Sequence, residues 1–563
     1  MNSIDNIAVN RLTIFGIDIK NYSVVCDSGA PMGVLDAAES FKKYIYRATG
    51  VNVPSSEYDK SKNQIVIGLD CHDSDKCRSA RTKVKHDGFA IVGEGNKLFV
   101  TANVYSGVAF GVYALLEDYV GVRFYSSSFT VIRAKDEMDI PKDVLLISNP
   151  KNTYRNIYWA DVNEPNSKNL QFSLNLRDNT KDVELFNEPY WYVGGETICA
   201  HSIVDLAEIE HAVGLQPCLS DENVYQTVLK NAKKKLKENP KARILSISQN
   251  DSWAHQLGCQ CDKCRAIDER EGSPMGSLLT FVNRIADEIK KEYPNVLIET
   301  LAYRYTRKAP KTIVPRDNVI IRLCSIECCF CHSFDDAECE ANAKFAKDVK
   351  EWSKIAKNLY VWDYTTNFHK YMLPFPNLHV LHKNLKFLAD NGVTGVFSQG
   401  NAQSLSAEFG ELRAYLLGKL LWNPYISESE YFAHMDEFLQ GYYGAGWKRI
   451  RNYIDWTSEF SAKKTHAHCE TSDIAVPFEN KEQCQFWIDE WRKAVEEAKT
   501  DVQKEHVKVS MVQLLSLAEH FPKFGIDNRE EIYNTLRRNG ITYYRVNARV
   551  PEIKDGEEIP FLK

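Results

Sequence analysis

The chain has 563 residues, 44% hydrophobic and 26% charged, with 70 Lys and Arg against 76 Asp and Glu and a formal net charge of −6. That length allows three or four domains, and the composition is that of an ordinary globular protein. The mildly acidic balance argues against nucleic acid or an anionic membrane surface as partner, and no apolar run reaches the roughly 18 residues of a membrane span.

The first segment alternates strands and helices. Residues 22–26 and 64–68 read as short strands, and 34–49 as a helix with Leu35, Ala38, Phe41, Tyr44 and Ile45 on one stripe and Gly50 as its C-terminal cap. Residues 89–92 and 97–101 flank Gly93-Glu-Gly-Asn96, a hairpin signal, and a helix is predicted over 107–118. These elements make residues 1–148 one small accessory α/β domain, closed by the turn Ser148-Asn-Pro150. Residues 1–20 hold no basic stretch followed by an apolar one, so the chain reads as cytoplasmic, or as exported with its signal lying outside this sequence.

From Tyr154 onward short apolar strands alternate with amphipathic helices, a pattern that favours a parallel sheet. Strands are predicted at 155–159, 172–176, 190–197, 244–249, 296–303, 319–326, 359–364 and 394–398. Helices at 277–292 and 342–357 put Leu278, Phe281, Val282, Ile285 and Ile289, and then Phe345, Val349, Trp352 and Ile355, on single faces. Eight β/α units in about 270 residues predict a (β/α)8 TIM barrel over residues 149–425. An open doubly wound sheet is the alternative, but no glycine-rich nucleotide loop follows an early strand. After Trp422-Asn-Pro424 the strands stop, and stripes such as Trp487, Trp491, Val495 and Ala498 make 426–563 a helical C-terminal domain with a hairpin in its tail from Tyr543. The basic run 230–237 reads as the solvated face of a helix.

Barrel enzymes carry their reactive groups at the C-terminal ends of the strands. Those ends hold three carboxylates, Asp251, Glu327 and Asp363, expected to converge as the catalytic set. Glycoside hydrolysis needs one carboxylic acid to protonate the leaving oxygen and a second to attack, to activate water or to hold a substrate group. His201, Gln249, Asn250, Tyr303, Trp362, Tyr364 and Gln399 stand at the same ends and are expected to bind sugar hydroxyls and faces, although His201 reads equally well as a core histidine. Glu299 lies within a strand and is assigned to the barrel wall.

The 15 cysteines are odd in number and mostly scattered, which reads as reduced thiols with one metal cluster. Cys259-Gln-Cys261-Asp-Lys-Cys264 offers three thiolates, and Cys331, in the Cys-rich stretch after the sixth predicted strand, is the expected fourth ligand to a zinc ion. Four protein ligands make such a site structural. No His-Glu-x-x-His helix is present, so no cofactor is expected in catalysis.

Two stretches carry a resemblance. Residues 22–125, with GFAIVGEGNKLFVTANVYSGVAFGVYALLEDYVGVRFY, resemble the accessory domain of family 20 hexosaminidases and of α-glucuronidases. The runs ILSISQND…CQCDKC, VIIRLCSIECCFCHSF, LYVWDYTTNFHKYMLPFPNL, GVFSQGN and ELRAYLLGKLLWNP resemble a bacterial family known as a domain of unknown function and related to glycoside hydrolase family 163, endo-β-N-acetylglucosaminidases that cleave N-glycans. The resemblance implies a glycoside hydrolase acting on N-acetylglucosamine-containing glycans, retaining by substrate assistance. Glu327 or Asp251 would then be the acid/base, and the other, or Asp363, the group that orients the acetamide. Family 42 β-galactosidases are similar locally, with a Cys-x-Cys-x-x-Cys cluster shortly after their acid/base residue, although this chain has Asp251 where that family has Glu. An α-glucuronidase-like or other exo-acting enzyme, with Arg304 or Arg177 as carboxylate clamp, and a non-catalytic glycan-binding protein are the competing readings. Oligomeric state is not legible.

Overall fold

The computed structural model describes residues 8–552 apart from 164–166, 181–182, 194–197, 199, 211–212 and 253–256. Two compact units divide the chain, the first built on residues 1–155 with 161–188 and 421–423, the second on 156–160, 189–420 and 424–563.

In the first unit, strands Ser23–Cys26, Gln64–Ile67 and Lys97–Ala102 run parallel, and Phe89–Glu94 and Leu145–Ser148 extend the sheet antiparallel. Helix Met32–Thr49 buries Val34, Ala37, Ala38, Phe41, Tyr44, Ile45 and Ala48. Gly50 ends it at φ +74°, where its N–H caps Tyr46 O, a conformation that costs glycine little. Leu35, expected on the buried stripe, is 40% exposed, since the stripe starts one residue earlier at Val34. Cys71 and Cys77 form a disulfide, so these two depart from the reading of the scattered cysteines as reduced thiols.

The second unit is organised by a curled parallel sheet of six strands: β1 (Tyr154–Tyr158), β2 (Ile244–Ser246), β3 (Leu297–Ala302), β4 (Val319–Cys324), β5 (Asn358–Tyr364) and β6 (Val393–Gln399). Their order is β1-β6-β5-β4-β3-β2, with Tyr192 bridging in parallel to Ile244 beyond β2. This is the strand order of a barrel. Among the described residues, however, the ring is not closed. The expected strand 172–176 falls in a helix, Ser167–Asn175, and of the strand expected at 190–197, residues 194–197 lie outside the described residues. That helix belongs to the first unit, where it packs on helix Tyr105–Leu115 and Gln171 Nε2 donates to Ser40 Oγ at 2.6 Å. Apolar residues at 170, 172, 174 and 176 imitate a strand, and tertiary packing overrides that alternation.

Regular alternation along β3, β4 and β5 sorts their side chains between two faces. On the inner face Arg322 donates through Nε and Nη2 to Glu299 Oε2 at 2.9 and 2.7 Å, both side chains fully buried, with Tyr192 Oη bonded to each. Glu299 therefore faces the interior of the curl, where Arg322 holds it. After residue 424 come helices Glu428–Tyr443, Trp447–Lys464, Lys481–Glu497, Asp501–Glu519 and Arg529–Arg538, then the two-stranded hairpin Tyr543–Arg545 and Ala548–Arg549. No described helix is long and apolar enough to cross a membrane.

Candidate active site

A cavity of about 270 Å³ opens at the C-terminal ends of the parallel strands. The strands that reach it dictate its walls. Register pairs Cys324 with Trp362 and Tyr364 with Gln399, so all four stand on the inner face beside Leu301. Asp251 and His201 come from the loops around β2, Tyr303 and Ile326 follow β3 and β4, and Phe368 follows β5. Glu470 and Val546 come from the C-terminal region. Behind Gln399, a side chain at Gly400 would meet the Trp159 ring at 2.0 Å, so only glycine lets the strand end there.

One hydrogen-bonded chain crosses the cavity. Tyr303 Oη donates to Asp251 Oδ1 at 3.1 Å and accepts from Arg304 Nε at 2.7 Å. Arg304 Nη2 in turn meets Glu470 Oε2 at 3.3 Å. Burial and the nearby Asp251 charge hold the Tyr303 hydroxyl well above its ordinary titration range, so it stays a donor. Ser252 N–H also donates to Asp251 Oδ1, at 2.8 Å. Among the described residues both donors therefore use the same oxygen, leaving Oδ2 for a ligand.

The aromatic wall is equally defined. Trp362 and Tyr364 stack at 6.1 Å and 19°, and Trp362 Nε1 donates to Gln399 Oε1 at 2.8 Å. His201 Nδ1 lies 2.9 Å from the carbonyl of Gln249. A carbonyl only accepts, so Nδ1 carries the proton and Nε2 is the acceptor nitrogen. His201 and Arg304 both sit at left-handed φ, +57° and +51°.

Of the ten expected site residues, Asp251, His201, Tyr303, Trp362, Tyr364 and Gln399 share this cavity. The other four do not line it. Glu327 pairs with Arg307 at 2.8 Å, and Arg307 also holds Asp348 at 2.7 Å. Asp363 is buried and accepts from Ser325 Oγ at 2.8 Å, and burial pushes its carboxyl up to about 6. It stands between Trp362 and Tyr364, so alternation turns it to the opposite face. Gln249 spends its amide on Tyr303 O and Thr306 Oγ1, and Asn250 donates to Leu215 O, so both brace the loop after β2. Arg177, a sequence candidate for a uronate clamp, is paired with Glu117 inside the first unit.

Glu470 escaped the sequence reading. Its only signal is the polar density of Thr465-His-Ala-His-Cys-Glu470, a non-helical stretch after helix Trp447–Lys464.

Beyond the cavity, Cys259, Cys261 and Cys264 meet Cys218, with one donor atom of each within 4.8 Å of every other. Cys218 Sγ lies 3.6 Å from Cys261 Sγ, close to the roughly 3.8 Å edge of a tetrahedral zinc–thiolate site. Cys261 caps helix Asp262–Glu271, accepting from Cys264 N–H at 3.5 Å. The fourth thiol is Cys218 and not Cys331, which is buried beside Cys329 after β4.

The family model described as Domain of unknown function (DUF4838) matches residues 124–455, more than half of the chain. No curated protein matches the sequence. Among solved structures the chain is similar to BtGH115A, described as a family GH115 4-O-methyl-α-glucuronidase with specificity for decorated arabinogalactans. That likeness has 12% identity and a TM-score of 0.54 over 92% of this chain and 76% of the other. It is also similar to CpGH84D, at 11% identity and a TM-score of 0.46 over 98% and 95% of the two chains. The first likeness shows a shared fold.

Proposed function

The chain belongs to the family described as a domain of unknown function (DUF4838), and from that premise and the cavity's geometry we propose that it is a glycoside hydrolase. The observation that carries the reading is the Asp251 carboxylate, held from one side by Tyr303 and Ser252, in a strand-end cavity walled by Trp362 and Tyr364. An aromatic wall takes the C–H face of a sugar ring, while Gln399 and His201 Nε2 offer hydrogen bonds to hydroxyls. The cavity's volume suits one sugar residue, with the rest of the glycan outside.

In this mechanism Asp251 is the acid/base, giving a proton to the leaving oxygen and then taking one from water. Glu470 replaces Glu327 and Asp363 as the second carboxylate, since it is the other one lining the cavity among the described residues. With an N-acetylglucosamine substrate, Glu470 orients the acetamide, whose oxygen displaces the protonated leaving group from the anomeric carbon; water deprotonated by Asp251 then opens the resulting oxazolinium, and the two inversions together retain configuration. Arg304 positions Glu470 from behind.

A second reading rests on Arg304 itself. A uronic acid carboxylate entering the cavity could exchange with Glu470 for the guanidinium, making the enzyme an exo-acting uronidase. Incubating the purified chain with N-glycans, arabinogalactans and aryl glycosides, with products read by mass spectrometry, separates these readings. Release of N-acetylglucosamine supports the first and release of uronic acid the second. Binding without any release leaves a glycan-binding protein.

The thiols of Cys218, Cys259, Cys261 and Cys264 form, in our reading, a structural zinc site that ties the start of helix Asp262–Glu271 to the segment before helix Glu222–Glu238. With all four positions filled by thiolate, it leaves no room for substrate chemistry.

A further inference from the structure

A second group of metal-binding residues lies apart from the cavity and from the four-thiol cluster. Cys329 and His332 come from the loop after β4, Cys339 from the N-terminal cap of helix Glu340–Ile355, and His466 from the segment after helix Trp447–Lys464. One donor atom of each lies within 4.8 Å of every other. Cys329 Sγ is 3.2 Å from His332 Nδ1, and Cys339 Sγ is 3.7 Å from His466 Nδ1. Sulfur at about 2.3 Å and nitrogen at about 2.0 Å from a tetrahedral ion stand about 3.5 Å from each other. Both pairs straddle that spacing.

Two further observations point to a ligand. His332 Nε2 lies 3.2 Å from the carbonyl of Ala462. That bond fixes the ring proton on Nε2 and leaves a lone pair on Nδ1, the nitrogen facing Cys329, which is how outer partners orient metal-bound histidines. The loop is also braced in advance. Asn342, fully buried, accepts from Cys329 N–H at 2.8 Å and donates to the carbonyls of Cys329, His332 and Ser333 at 2.9, 3.0 and 2.9 Å. The Cys-x-x-His spacing is therefore held by the framework.

We propose that Cys329, His332, Cys339 and His466 bind one zinc ion in a Cys2His2 site. Binding forms two zinc–sulfur and two zinc–nitrogen bonds and releases the two thiol protons to solvent. Two thiolates cancel the ion's charge, so a neutral site sits among the buried cysteines at little electrostatic cost. All four positions are filled, so the ion is structural. It joins the loop that carries Ile326 to the cavity with the segment that carries Glu470 there, along a seam where Phe330 N–H also donates to Ala467 O at 2.8 Å.

The test is metal analysis of the full chain after reconstitution with zinc and removal of loose metal. Cys339→Ser and His466→Gln are each expected to lose one zinc per chain relative to wild type, while Cys261→Ser keeps this ion. Unchanged zinc content in the first two variants overturns the proposal. Zinc X-ray absorption of the unmutated protein decides independently of how the variants fold. Mixed sulfur and nitrogen ligation, about three to one with both clusters loaded and two to two with this one alone, supports the site. A purely sulfur shell, no zinc at all, or a Cys329–Cys339 disulfide in the mapped native protein contradicts it. None of these readings depends on glycoside cleavage, so this proposal and the hydrolase reading fail separately.

Discussion

Tyr303 Oη donates to Asp251 Oδ1 at 3.1 Å while it accepts from Arg304 Nε, so one phenol orients the carboxylate and links it to the Arg304–Glu470 pair. Tyr303→Phe removes that orientation and leaves the ring in the wall. A hydrogen bond to a charged group contributes about 1.5–3 kcal/mol. The expected result is therefore a roughly 10- to 100-fold fall in kcat with KM little changed. A matching rise in KM with kcat intact would instead make Tyr303 a ground-state binding residue.

Glu470→Gln keeps the shape and most hydrogen bonds of the side chain but removes its charge. If Glu470 is the second carboxylate, kcat on a cleaved glycan falls by about 10²- to 10⁴-fold, while Glu327→Gln, outside the cavity, changes it less than about threefold. The reverse pattern would return the role to Glu327.

Asp363 makes stability depend on pH in an unusual direction. Its carboxyl is pushed from an ordinary 3.8 up to about 6 by burial. Below pH 4 both folded and unfolded chains keep this proton, so the group is neutral to stability. Between pH 4 and 6 the unfolded chain gives it up and the folded chain does not, and stability falls as pH rises. Asp363→Asn, whose amide oxygen can still accept from Ser325, is expected to stabilise the protein by about 3 kcal/mol above pH 6, at 1.36 kcal/mol per unit. The gain fades towards pH 4. Denaturant unfolding at pH 4 and pH 8 measures it, and an Asp363→Asn protein less stable at pH 8 would contradict the assignment.

How much of this was legible follows from where each residue sits. Val319–Cys324 announces itself as a Val- and Ile-rich run, the other strands of the main sheet as shorter apolar runs, and the strand ends led to Asp251, Tyr303, Trp362 and Gln399. The same alternation excludes Asp363, because Trp362 and Tyr364 both face the cavity and the residue between them cannot. Helix Ser167–Asn175 misled because its apolar residues fall at every second position. Cys218 had no local pattern to betray it, and Glu470 only the polar density of its stretch, which names no role. Each is brought to its partners by chain folding over long separations, which spacing rules do not encode.

The Arg322–Glu299 pair is wholly buried on the inner face of the sheet. Glu299→Ala strands the Arg322 guanidinium, and breaking such a pair costs about 3–5 kcal/mol. The midpoint of urea unfolding reports this loss. A cost below about 1 kcal/mol would mean that water reaches the guanidinium.

The hydrolase account stands or falls on Asp251. The decisive measurement compares wild-type and Asp251→Asn protein on a glycan that the wild type cleaves, recording both turnover and affinity. The account predicts turnover reduced by at least about 10²-fold with affinity for the intact glycan retained. Cleavage by the Asp251→Asn protein at close to the wild-type rate would contradict it.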